Sequence, residues 1–171
     1  MYLNVEVKAK CKDPIPIRKF LLGHGAEFRG VDEQTDTYFN VSKGRLKLRE
    51  GNIEKNLIFY NRSDHAGPKN SKFFLTPIED NISIKRSLTE ALGIKAVVIK
   101  KREIYYISNV KFHIDFVPLL GNFVEIEAGN LLFPELTETE LKQQCEYYMK
   151  EFQLQDTDLL TNSYSDMVMA L

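Results

Sequence analysis

Basic residues recur at alternating positions in several short apolar stretches of this chain. Lys47 and Arg49 alternate with leucines, and Lys100 and Arg102 lie two residues apart. Guanidinium groups match phosphate oxygens with paired hydrogen bonds, and a lysine ammonium acts as a point charge on the same kind of ligand. Bases crowded in this way repel one another unless an anion neutralises them, so the pattern indicates an oligophosphate ligand. The predicted phosphate-binding bases are Lys8, Lys47, Arg49, Arg62, Lys100 and Arg102.

Acidic residues occupy the corresponding positions of other stretches. Glu125 and Glu127 are two residues apart, so in a strand both carboxylates point the same way. Two such charges destabilise one another unless a cation or bases lie between them. Mg²⁺ or Mn²⁺ with oxygen ligands is the predicted cofactor. The predicted metal-binding acids are Glu6, Asp115, Glu125 and Glu127.

A plainer interpretation stays open for both sets of charges. The bases would then cover solvated outer faces with scattered salt bridges, and the acids would pair with neighbouring lysines and arginines. His113 alternates with Asp115, and we expect a hydrogen-bonded structural role for it. The chain has no glycine-rich phosphate loop, so phosphate binding would depend on side chains.

Strands must position these side chains, because the period of the pattern is two. Several strands of this kind in one small chain favour a shared polar interior. Asp80 and Gly93 predict the two ends of a helix, Thr137 begins a capping box, and 63–71 is predicted to be a mobile loop. The elements indicate an α+β fold with antiparallel strands. The alternating stretches are 4–10, 45–49, 57–62, 98–102, 112–115 and 123–127.

Length and charge limit the classes of function. The 171 residues are predicted to form a single domain, 1–171. The formal net charge of -1 argues against a nucleic-acid partner. No apolar run approaches the length of a membrane span, so we expect no membrane partner and a cytoplasmic protein. Cys11 and Cys145 have no metal-binding spacing and are predicted to be reduced thiols.

Taken in order, these segments resemble the CYTH superfamily, which includes class IV adenylyl cyclases, thiamine triphosphatases and tripolyphosphatases. The similarity is greatest to the class IV cyclase branch, particularly around Tyr60-Asn61-Arg62, the Lys100 and Arg102 pair, and 120–127. The resemblance implies an eight-stranded antiparallel β-barrel, or tunnel, with flanking helices, and it makes a homodimer plausible. The segments that carry it are 4–10, 36–39, 46–49, 57–62, 98–102, 113–117, 120–127 and 163–166.

The resemblance also implies roles for single residues. The opening signature of the family is Glu-x-Glu-x-Lys, in which Glu6 matches the second acid and Lys8 the lysine. Glu6 and Lys8 are therefore expected to be catalytic, with the other bases on phosphate and the acids on metal. Asn4 replaces the first acid of the signature. An amide oxygen can coordinate Mg²⁺, but it adds no negative charge.

We expect a Mg²⁺- or Mn²⁺-dependent enzyme of the class IV type, which converts ATP to cyclic AMP and pyrophosphate. The ligand would be a nucleoside triphosphate or another triphosphate. A triphosphatase that hydrolyses inorganic, thiamine or nucleoside triphosphate is the close alternative. A non-catalytic binder of nucleotides or polyphosphate is the alternative from another class, and Asn4 is its support in the sequence.

Overall fold

The structure, a computed structural model, describes residues 2–62 and 66–171, apart from the side chains of Tyr2, Arg62 and Lys72. It contains eight strands and four α-helices in the described residues. The strands are β1 (Tyr2–Lys10), β2 (Glu27–Phe39), β3 (Arg45–Glu50), β4 (Lys55–Arg62), β5 (Lys69–Pro77), β6 (Ile94–Ile107), β7 (Val110–Val117) and β8 (Gly121–Gly129). The helices are α1 (Ile15–Gly23), α2 (Asn81–Leu92), α3 (Glu138–Glu151) and α4 (Tyr164–Met169).

The strands form one closed antiparallel barrel in the order β1-β5-β4-β3-β2-β6-β7-β8. Strand β8 returns to pair with β1, and this pairing sets Glu6 opposite Glu127 and Lys8 opposite Glu125. Because side chains alternate across a strand, the ionic residues of each strand lie on one face and its apolar residues on the other. The prediction of an α+β fold with an eight-stranded antiparallel barrel is confirmed.

The main apolar core lies outside the barrel wall. Helices α1 and α3 cover the outer face of β1, β7 and β8, where Leu21, Phe112, Ile126 and Leu141 are fully buried. Burying a side chain of this kind contributes about 1.5–3 kcal/mol. This core leaves the inner face free for polar residues.

Helix α3 begins at the capping box that the sequence predicts. The Thr137 hydroxyl accepts a hydrogen bond from the Glu140 amide, and the Glu140 carboxylate accepts one from the Thr137 amide at 2.8 Å. Both cysteines are free and buried, and the Cys145 thiol donates to the Val5 carbonyl. The α3 helix therefore fixes the outer side of β1, the strand that carries Glu6 and Lys8.

The last described segment packs against the barrel. Tyr164, in α4, packs with Tyr38, Phe123 and Val98 in a second apolar cluster. The buried Lys69 ammonium donates to the carbonyls of Leu160 and Thr161 at 3.0 and 2.8 Å, which fastens the segment before α4 to β5.

Two local predictions have different outcomes. Asp80 and Gly93 flank α2 as expected, and the Asp80 carboxylate accepts a hydrogen bond from the Ser83 amide. The loop predicted over 63–71 is wrong at its end, because β5 begins at Lys69 and pairs with β1 and β4. Residues 63–65 of that loop lie outside the described part of the chain. None of the described helices combines the length and the apolar character that crossing a membrane requires.

Candidate functional site

A cavity of about 120 Å³ lies inside the barrel. All eight strands contribute to its wall, because each turns its polar face inward. Six bases and five acids of the described residues line it, so carboxylates within the wall neutralise the bases. The charged groups are Glu6, Lys8, Asp36, Lys47, Arg49, Glu54, Lys100, Arg102, Lys111, Glu125 and Glu127.

Asp36, on β2, is surrounded by three of the predicted phosphate-binding bases. Its carboxylate accepts hydrogen bonds from Lys47 at 3.0 Å, from Arg49 at 2.9 and 3.0 Å, and from Lys100 at 2.8 Å. Burial alone would raise the pKa of Asp36, but Arg49, Lys100 and Lys47 hold it well below its usual range. Burial lowers the pKa of Lys100, and the Asp36 charge opposes that shift.

Arg102, on β6, is held by two carboxylates of neighbouring strands. It donates to both oxygens of Asp115, at 2.7 and 2.6 Å, and to Glu125 at 2.9 Å. The Tyr164 hydroxyl donates to the same Asp115 carboxylate at 2.8 Å. Burial would raise the pKa of Asp115, but Arg102 holds it at about 2. The guanidinium is therefore fixed in one orientation toward the cavity.

Glu54 enters the cavity from the turn between β3 and β4. It accepts hydrogen bonds from Arg49, at 2.9 Å, and from Lys111. Burial would raise the pKa of Glu54, but Lys111 and Arg49 keep it well below its usual range.

The turn that carries Glu54 is held by a buried carboxylate of β2. Asp32 accepts hydrogen bonds from the amides of Ile53 and Glu54, at 2.9 and 3.0 Å. A side chain at Gly51 would collide with the Asp32 carboxylate. Glycine at this position is therefore required for the approach of Asp32 that positions Glu54.

Glu6 and Glu127 face one another across the β1–β8 pair, and both line the cavity with Asn4. Burial raises the pKa of Glu127, and the Glu125, Glu6 and Glu54 carboxylates raise it further against the opposing charge of Lys111. The facing pair of carboxylates supplies hard oxygen donors of the kind that a divalent cation prefers.

No three His, Cys, Asp or Glu side chains converge as a metal-binding group within residues 2–62 and 66–171. Mg²⁺ is commonly held by one or two carboxylates, with substrate phosphates and water completing its shell. The Glu6 and Glu127 pair fits that pattern.

His113, on β7, borders the cavity beside Glu125. Its Nδ1 lies 3.2 Å from the Glu125 carboxylate, and its buried Nε2 has no hydrogen-bond partner within the described part of the protein. Burial, with Arg102 and Lys111 nearby, lowers the pKa of His113 to about 3. The imidazole is therefore neutral near pH 7, which agrees with the structural role expected from the sequence.

Eight of the residues predicted from the sequence come together at this cavity: Glu6, Lys8, Lys47, Arg49, Lys100, Arg102, Glu125 and Glu127. Asp115 lies outside the lining, and its carboxylate accepts hydrogen bonds from Arg102 and Tyr164. The geometry therefore favours a positioning role for Asp115 over the predicted metal contact. Arg62 belongs to β4, but its side chain lies outside the described residues. The catalytic, phosphate and metal roles of the eight stay predictions.

The sequence reasoning missed four residues with central positions: Asp36, Glu54, Lys111 and Tyr164. The alternation of His113 and Asp115 continues to Lys111. The sequence therefore contains a signal that places Lys111 on the inner face. Asp36 and Tyr164 stand out in the sequence only as members of segments that resemble the family. Glu54 lies in a turn, where periodicity carries no signal.

The charged lining of the cavity agrees with a comparison to protein families. The model of the CYTH domain matches residues 3–163 of the chain. The chain belongs to the CYTH domain family. No curated protein matches this CYTH chain at a significant level.

Several solved structures share the fold of this CYTH domain. The PH1012 protein from Pyrococcus horikoshii is 24% identical with a TM-score of 0.72, over 95% of this chain and 98% of that one. A candidate adenylate cyclase from Vibrio parahaemolyticus is 18% identical with a TM-score of 0.77, over 98% of both chains. A candidate adenylyl cyclase from Hippeastrum, described as having a dominant triphosphatase activity, is 12% identical with a TM-score of 0.61, over 99% of this chain and 94% of that one.

Proposed function

We propose that this chain is an enzyme that acts on a triphosphate chain with the help of a divalent cation. The observation that carries the proposal is that bases from four strands and the Glu6–Glu127 pair face the same cavity inside the barrel. Family membership supports it.

Lys8 and Lys47 are the bases best placed for a phosphate chain. Each keeps 12% of its side chain exposed, whereas Arg102 and Lys100 keep 4% and 1%. The Lys8 ammonium lies 3.5 Å from Glu125 and 3.8 Å from the centre of the Tyr164 ring. Charged donors held in a site with little water stabilise developing negative charge strongly, because they need no reorganisation. Arg49, Lys100 and Arg102 are charged donors of this kind, held in place by carboxylates.

Glu6, Glu127 and the Asn4 amide would hold Mg²⁺ or Mn²⁺ together with oxygens of the substrate. When bound, such a cation polarises phosphoryl oxygens and makes an attacking oxygen more nucleophilic. Asn4 leaves the site one negative charge short of the family signature, so we expect binding of the cation to depend strongly on the triphosphate.

Cyclisation of ATP is the leading reaction. The ribose 3′-oxygen attacks the α-phosphorus, its proton leaves to solvent, and the bond to the bridging oxygen breaks to release pyrophosphate. In this scheme the bases bind the phosphate chain. The similarity to class IV cyclases supports cyclisation.

Hydrolysis is the second candidate, and the size of the cavity favours it. Pockets that enclose a whole drug-sized ligand have volumes of about 300–1,000 Å³, whereas this cavity has about 120 Å³. A phosphate chain with an attacking water needs less room than a folded nucleotide.

Product analysis separates the two reactions. The purified chain is incubated with ATP and Mn²⁺, and separately with inorganic triphosphate, and products are followed by phosphorus NMR. Cyclic AMP with pyrophosphate identifies cyclisation, and orthophosphate identifies hydrolysis. Saturable binding without any product would refute the enzymatic proposal.

Variants test the metal site in the same assay. We expect Glu127→Gln to lower turnover about 100-fold or more, because it removes a proposed metal ligand. Glu146→Gln, on the exposed surface of α3, is the matched control. Equal activity of the two variants would refute the assignment of Glu127.

A further inference from the structure

Three hydrogen-bond donors from different strands converge on the carboxylate of Glu54. Arg49 on β3 donates through Nη1 at 2.9 Å, and Lys111 on β7 donates through its ammonium. Gln34 on β2 donates through its amide at 3.1 Å. Strands β2 and β6 lie between β3 and β7 in the barrel, so this one carboxylate links two separate parts of the wall. The three donors form an anion-binding site, and a side chain of the protein itself fills it.

The same donors match a phosphoryl group. A carboxylate offers two oxygens, whereas the terminal phosphoryl group of a phosphate chain offers three and carries more negative charge. Arg49 lies two residues from Lys47 on the inner face of β3, roughly 7 Å along the strand. A phosphate chain that contacts Lys47 can therefore extend to the donors that Glu54 occupies.

Glu54 can leave its donors more easily than Asp36 or Glu125 can leave theirs. Its side chain is 18% exposed, whereas those of Asp36 and Glu125 are 2% and 8% exposed. The Glu54 carboxylate therefore has a path to water that does not cross the packed interior of the barrel.

The backbone of Glu54 confines such a movement to the side chain. Its amide donates to Asp32 at 3.0 Å, and its carbonyl accepts a hydrogen bond from the Gly51 amide at 2.9 Å. Both backbone groups are thus anchored within the turn between β3 and β4. Rotation about the side-chain torsions is enough to turn the carboxylate toward solvent.

We propose that Glu54 is a built-in competitor of the phosphate chain, whose carboxylate occupies a phosphoryl position in the free protein and leaves it when the ligand binds. This inference rests on the proposed function, because it concerns the regulation of the same cavity. The terminal phosphoryl group of the ligand takes over Arg49, Lys111 and Gln34, and the carboxylate returns to them when the product leaves. The competition weakens the binding of every anion that reaches this position, because only molecules with Glu54 turned away are competent to bind.

Calorimetric titration with inorganic triphosphate, without divalent cations, tests the competition separately from turnover. Glu54→Gln removes the negative charge that the donors hold. Glu54→Asp keeps the charge but is one methylene shorter, so its carboxylate cannot reach Arg49 and Lys111 together. We expect Glu54→Gln to lower the Kd about tenfold and Glu54→Asp to lower it about threefold, because both variants raise the competent fraction.

Glu50→Gln is the matched control for the lost charge. Glu50 belongs to the same hairpin, but its carboxylate accepts hydrogen bonds from Asn81 and Lys85 of α2. The Kd of this variant should stay within about twofold of the original. An equal gain in the control, or a gain in Glu54→Gln with none in Glu54→Asp, would show that reduced negative charge alone tightens binding and would overturn the proposal.

Weaker or unchanged binding in Glu54→Gln would also overturn it, because the ligand would then not replace this carboxylate. If Glu54→Gln does not fold, Glu54→Asp, which keeps the charge beside the two bases, decides the comparison. The result does not depend on catalysis. If the original chain binds triphosphate but forms no product with Mn²⁺, the proposed enzyme fails, while the series of Kd values still supports or refutes the role of Glu54.

Discussion

Removing the negative charge of Asp36 tests how the cavity is held together. Asp36→Asn keeps the shape of the side chain but leaves Lys47, Arg49 and Lys100 close together without the carboxylate that they share. Breaking a buried ion pair by removing one partner costs about 3–5 kcal/mol. For a chain of this size each kcal/mol lowers Tm by roughly 2–4 °C, so we expect a loss of roughly 6–20 °C.

The assay is urea unfolding followed by circular dichroism, together with a thermal scan. Glu33→Gln, on the outward face of the same strand, is the matched control and should change the free energy of unfolding by less than about 0.5 kcal/mol. A loss of less than about 1 kcal/mol in Asp36→Asn would contradict the view that Asp36 holds the three bases.

A triphosphate should rescue the Asp36→Asn variant. Because the three bases lose their internal partner, an anion can take its place, and inorganic triphosphate should raise Tm more in the variant than in the original chain. An equal or smaller rise would show that these bases do not face the bound anion. Because burial lowers the pKa of Lys100, the thermal scans are repeated at several pH values.

Three further predictions concern stability and its dependence on pH. The pKa of His113 is 6.5 in the unfolded chain and about 3 in the folded chain. The unfolded state therefore binds a proton more readily, and acid favours unfolding. Between pH 7 and pH 5 this residue should lower the free energy of unfolding by about 2 kcal/mol. His113→Asn should flatten the metal-free profile in that range, and an unchanged slope would contradict a buried neutral imidazole. Tyr164→Phe removes the hydrogen bond to Asp115 and should lower the free energy of unfolding in urea by about 1.5–3 kcal/mol. An unchanged free energy of unfolding would contradict a stabilising role for the hydroxyl. Gly51→Ala pushes on Asp32 and should cost about 1–3 kcal/mol, with a lower kcat through displacement of Glu54; a variant as stable as the original would refute the close approach.

The inner face of the barrel could be predicted because alternation is a local property. Glu6 and Lys8, Lys47 and Arg49, and Lys100 and Arg102 each share a strand, so spacing alone places each pair on one side. The barrel itself followed from the resemblance, since periodicity does not say which strands pair.

The ion pairs inside the cavity could not be predicted in this way. Asp36 contacts Lys100 across a long separation in sequence, and Asp115 contacts Arg102 through the β6–β7 pairing. Such partners depend on register and barrel closure, which one sequence does not reveal. Alternation places Asp115 on the polar face of its strand, but only the pairing of β6 with β7 reveals that its carboxylate accepts two hydrogen bonds from Arg102.

The pairing of β1 with β8 has a consequence for the order of folding. Glu6 and Glu127 are about 120 residues apart in the chain, so their carboxylates meet only when the first and last strands have joined. Contacts between such distant segments form late, because the intervening loop must lose its entropy first. In a partly folded chain, many of the basic residues can therefore lie close together before the Glu6 and Glu127 carboxylates meet. The ability to catalyse the reaction should then appear in a single late step of folding.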